Sequence, residues 1–107
     1  MNFNEYQQLA QRTANMHGTV EKLMNAALGL AGESGEVADY VKKWAFQDHS
    51  FEGEKIIEEI GDILWYIAEA ATALNITLES VAQYNIDKLR KRYPAGFNSE
   101  RSINREV

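Results

Sequence analysis

Apolar residues recur along the chain at intervals of three and four, the spacing that gathers side chains on one face of an α-helix. Phe3, Tyr6, Leu9, Ala10 and Thr13 form a first such set, so a short helix is expected from Asn4 to about Asn15, capped by Asn2 or Asn4. His17-Gly18 breaks it. Thr19 can cap a second helix, with Glu21 in its first turn, and Leu23, Ala26, Leu30, Val37, Val41 and Trp44 make one stripe from Val20 to about Phe46. Gln47 to Gly53 has no periodicity and is read as a loop. A third helix follows from about Glu54 to Leu74, where Ile56, Ile60, Ile63, Ile67, Ala70 and Leu74 repeat at coiled-coil-like spacing. Asn75 suits a left-handed C-terminal cap, and Thr77 with Glu79 opens a fourth helix to about Tyr93, with Leu78, Val81, Ala82, Ile86, Leu89 and Tyr93 on its buried side. Pro94-Ala95-Gly96 ends it.

The pattern therefore predicts an all-α fold, an antiparallel four-helix bundle with the second and third helices as the central pair. No repeat, low-complexity tract or linker divides the chain, so residues 1–97 are expected to form one domain. Residues 98–107 are polar enough for a mobile tail or a partner-dependent arm. Ile57, Leu64 and Ala71 widen the apolar side of the third helix beyond what one neighbour covers, so the bundle is expected to be completed by oligomerisation.

The polar positions carry the chemistry. Glu33 and Glu36 are spaced i, i+3, as are Glu59 and Asp62, so each pair shares a helix face. Taking Leu30 as zero, Glu33 and Glu36 fall at about −60° and −120°, and relative to Ile60, Glu59 and Asp62 fall at about −100° and −160°. Both pairs flank an apolar stripe. The 22 residues between Glu36 and Glu59 suffice for the end of one helix, a loop and the start of its antiparallel partner, which sets the pairs opposite each other. Gly29, Gly32 and Gly35 each cost a helix about 1 kcal/mol relative to alanine, and close helix packing or close approach of a ligand would offset that. Clustered carboxylates suit magnesium, or manganese, which take oxygen ligands and share them with phosphates.

Gly29-Leu-Ala-Gly-Glu-Ser-Gly-Glu36, then Glu58-Glu-Ile-Gly-Asp-Ile-Leu-Trp-Tyr66, then Asn85-Ile-Asp-Lys-Leu-Arg-Lys-Arg-Tyr93 together resemble the MazG-like, all-α nucleoside triphosphate pyrophosphohydrolases over roughly residues 20–97. The resemblance implies hydrolysis between the α and β phosphates to nucleoside monophosphate and pyrophosphate, as in clearing unwanted nucleotides from the pool. It implies magnesium on Glu33, Glu36, Glu59 and Asp62, the catalytic and metal-binding set, and assembly as a homodimer or a dimer of dimers. One glutamate of the four could instead orient or deprotonate the water. Narrower relatives, the dUTP or dCTP pyrophosphatases and the phosphoribosyl-ATP pyrophosphohydrolases, fit the same motifs.

Asn85, Lys88 and Arg92 share one face of the fourth helix and are the candidate phosphate-binding residues, with Lys42 and Lys43 as weaker candidates. Trp44 and Trp65 could stack on a base, and Tyr40 and Tyr66 lie near the carboxylate flanks; Trp44 and Tyr66 are the candidate base-binding pair. Glu58 and Glu69 are placed on the outer, solvated face of the third helix.

Composition closes off other classes. The net charge of −5, with basic residues unpooled, excludes a nucleic-acid polymer as main partner. The absence of cysteine removes thiolate and disulfide chemistry. His17 and His49 belong to no Glu-x-x-His pair, which excludes a di-iron carboxylate bundle, and there is no P-loop. No apolar run spans a membrane and the first residues lack a signal-peptide pattern, so a cytoplasmic protein is expected. A non-catalytic helical module whose acidic flank binds a basic partner is the competing reading.

Overall fold

A computed structural model describes residues 1–104; residues 105–107, the end of the expected polar tail, lie outside the described residues. Among the described residues the chain is all helical. Helix α1 spans Phe3–Ala10 and continues into a 3-10 turn, Gln11–Thr13. It starts where the Asn2 side chain accepts a hydrogen bond from the Glu5 amide, which satisfies one of the free amides of the first turn. Helix α2 spans Thr19–Phe46 with Gly18 as its cap, so Thr19 is the first helical residue and not the cap. Helix α3 spans Gly53–Ala73, and Asn75 beyond it takes φ +57, the left-handed conformation expected there. Helix α4 spans Leu78–Arg92 with the Thr77 side chain accepting from the Ser80 amide. Within the segment read as a tail, a short helix α5, Ser99–Ile103, is capped by Asn98.

Helices α2 and α3 form the central antiparallel hairpin, and α1 and α4 pack on the C-terminal half of α3. That half carries Ala68, Ala71 and Ala73, which are buried, and Ala10 of α1 and Leu78 of α4 close over it with Tyr6, Leu64, Trp65 and Ile67 alongside. Gln7 ties the corner together. Its amide nitrogen donates to Thr72 Oγ1 (3.0 Å) and the Ile76 carbonyl (2.9 Å), and its amide oxygen accepts from the Leu78 backbone (2.7 Å).

The apolar stripes expected to form the α2–α3 seam are covered only in part: Ala26 is buried and Ile56, Ile63 and Ile67 are half-buried. Ile57 is 70% exposed, Ile60 54% and Leu74 55%, because the hairpin meets through the flank about 100° around α3, where Glu59, Asp62, Tyr66 and Glu69 project. Small residues allow this: a side chain built on Gly29 would overlap the ring of Tyr66, so only glycine lets α2 approach α3 so closely there. The radius of gyration, 16.8 Å, exceeds the ~13 Å of a compact domain of this length. A thin, open bundle results.

Candidate active site

The α2–α3 register can be read as a ladder. Glu36 lies against Glu59, Glu33 against Glu59 and Asp62, Gly29 against Tyr66, and Asn25 against Glu69, so successive rungs are one helical turn apart on both helices. The two carboxylate pairs thus face each other across the hairpin, as the i, i+3 spacings predict. One oxygen from each of Glu33, Glu59 and Asp62 lies within 4.8 Å of the others. Glu36 joins through hydrogen-bonding contact with Glu59 and Glu33.

The electrostatics follow from crowding like charges. Glu36, though exposed, has its carboxyl held above the ordinary glutamate value, first by its hydrogen bond with Glu59 and then by the Glu59 charge. Glu59 is raised as well, by its hydrogen bond with Glu33 and by burial. Glu33 Oε2 and Glu59 Oε2 are buried without a hydrogen-bond partner. Buried carboxylate oxygens are normally paired, so two orphaned ones in a set of hard oxygen donors fit a divalent cation. The Asp62 charge reaches Tyr6 of α1, whose phenol is raised by burial first and by Asp62 second.

Beside the carboxylates opens a cleft of about 350 Å³ lined by Thr13, Glu33, Asp62, Trp65 and Tyr66. Trp65 links its walls, donating from Nε1 to the Ala10 carbonyl (3.0 Å) and to Thr13 Oγ1 (2.9 Å). Tyr66 lines the cleft. Trp44 does not line it: its ring packs on Phe51 at 5.2 Å beyond the other end of the hairpin. Thr13 was missed because at the sequence level it reads only as one more position on the first helix; its role depends on the 3-10 turn bringing it to Trp65.

The α4 residues stand apart. Asn85 is exposed, and Lys88 opens with Tyr84, Asp87 and Lys91 on a separate depression of about 370 Å³. The Arg92 guanidinium lies 6.0 Å over the Tyr93 ring. None of the three lines the carboxylate cleft. Lys42 and Lys43 bind Asp39 at 3.4 and 2.9 Å. Tyr40 is engaged elsewhere, its hydroxyl accepting from the Glu52 amide at 2.5 Å to fasten the α2–α3 loop.

Glu58 is exposed as expected, but Glu69 is fully buried and not solvated. It sits on the flank that meets α2, where Asn25 Nδ2 donates to its Oε2 at 2.8 Å. Placing the seam along the isoleucines put Glu69 on the wrong side of α3.

The "Gene 37 protein" of Mycobacterium phage L5 is 33% identical over 105 residues, covering 90% of this chain and 92% of its own length. No solved structure gives a significant match. Residues 20–97, which contain both carboxylate pairs, the hairpin and α4, match the MazG nucleotide pyrophosphohydrolase domain, and the chain belongs to that family.

Proposed function

We propose that the chain is a magnesium-dependent nucleoside triphosphate pyrophosphohydrolase that cleaves between the α and β phosphates. The observation that carries this reading is the meeting of Glu33, Glu59 and Asp62 oxygens within 4.8 Å across two helices, with buried oxygens left unpartnered. Glu33, Glu36, Glu59 and Asp62 would hold the cation. When bound, it would neutralise the polyphosphate and the departing pyrophosphate. One glutamate of the four could instead orient or deprotonate the attacking water. Tyr66, at the cleft wall, offers the base an aromatic face.

Because α4 does not line the cleft, the phosphate-binding role of Asn85, Lys88 and Arg92 goes with self-association. The open stripe of Ile57 and Ile60 and the thin core support assembly into a homodimer or dimer of dimers that carries α4 of one copy to the cleft of another. No helix among the described residues is long and apolar enough to cross a membrane. A nucleotide panel scored for pyrophosphate release tests the reading. Release that requires magnesium is expected for at least one triphosphate, and no release from any of them with magnesium supplied would overturn it.

A further inference from the structure

Glu69 is the largest fully buried side chain among the described residues. Its Oε2 accepts one hydrogen bond, from Asn25 Nδ2 at 2.8 Å, and its Oε1 has no partner. A buried ion or acid with half its acceptors unmet costs several kcal/mol, and apolar residues in place of both Glu69 and Asn25 would commonly be neutral or stabilising. Stability alone does not explain a carboxyl here.

Its place in the hairpin does. The rung of Gly29 with Tyr66 separates it from the opposed carboxylates, and every rung lies one turn from the next. The carboxylate rungs repel when no cation lies between them, so they work against the register that cation binding needs. The Gly29–Tyr66 contact disfavours a slide by overlap, and the Glu69–Asn25 pair adds a penalty of a different kind, a polar one. A slide of one turn would bring Glu33 opposite Tyr66 and would strip the buried Glu69 of Asn25. Losing that donor leaves a buried carboxyl wholly unsatisfied, so a slide in that direction is penalised, as by single polar residues in coiled-coil seams.

We propose that the Glu69–Asn25 pair is the register key of the α2–α3 hairpin, a pair of positioning residues that holds Glu33, Glu36, Glu59 and Asp62 face to face before any cation arrives. This rests on the reading of those four as metal ligands.

The test uses the full chain, which has no cysteine, with spin labels at the exposed positions Ala27 and Lys55 and dilution into unlabelled protein. E69L should remain helical but melt somewhat below the parent, because the Asn25 amide loses its acceptor. Its interlabel distance should broaden or shift by about 5 Å, the rise of one turn, and its manganese affinity, read by electron paramagnetic resonance, should fall at least ~10-fold. E69Q, which can still accept from Asn25, should restore both. Parent-like distance and affinity in E69L, or an E69Q variant no better than E69L, would overturn the proposal. If E69L does not fold, the paired N25L/E69L variant, which leaves no orphaned group, takes its place with the same expected distance and affinity. A parent protein that binds no manganese would sink the metal-site reading, while the distance measurement would still decide the register.

Discussion

At the scale of single residues, the carboxylate cluster makes opposite demands on folding and on binding. Glu36 and Glu59 have carboxyls raised in the folded chain, so between the ordinary glutamate value of about 4.3 and the raised values the native state holds more protons than the unfolded one. Metal-free stability from these groups is thus present at low pH and is lost as pH rises through that window. Asp39, lowered by its bond to Lys43, runs the other way, so a comparison of variants isolates the effect. E36Q should melt higher than the parent without metal, and the gap should widen as pH increases; calorimetry across pH in chelator checks this. With magnesium the order reverses. E36Q and D62N should each lose at least ~10-fold in magnesium affinity and most turnover while the fold persists, measured by titration calorimetry and pyrophosphate release. Near-normal activity in both would remove these residues from the site.

At the scale of elements, the hairpin shows what a periodic sequence does and does not carry. Helices α2, α3 and α4 lie within about a residue of where apolar spacing, Asn75 and Thr77 place them, because caps and period are local properties. The carboxylate pairs were legible for the same reason: i, i+3 spacing on two helices joined by a short loop leaves them few places to go. The rotation of the helices about their own axes was not legible. It depends on Gly29 admitting Tyr66, a contact between residues distant in sequence, and it left Ile57 and Ile60 outward and Glu69 inward. The cleft wall formed by Thr13 and Trp65 was likewise a product of tertiary contact. Two predictions belong here. W65F removes the hydrogen bonds to Ala10 and Thr13 and should cost about 1–3 kcal/mol in denaturant unfolding. G29A gains about 1 kcal/mol in helix propensity but must displace the Tyr66 ring, so it should lower stability on balance and alter the cleft; a variant more stable than the parent would show that α2 and α3 do not approach as closely as described.

At the scale of the whole molecule, a core of small residues beside an exposed apolar stripe is an incomplete design for one chain. Ile57 at 70% and Ile60 at 54% exposure should be covered in solution, so light scattering at micromolar concentration should give a dimer or larger, and a monomer would contradict the assembly. If assembly brings α4 of one copy to the cleft of another, mixing inactive K88A with inactive E36Q should restore part of the activity, and no recovery would place Lys88 outside a shared site. The central claim is where the bond breaks. Phosphorus NMR of a magnesium-supplied reaction on a triphosphate that the chain turns over should show nucleoside monophosphate and pyrophosphate growing in equal amounts from the first points, whereas nucleoside diphosphate and orthophosphate as primary products would contradict the account.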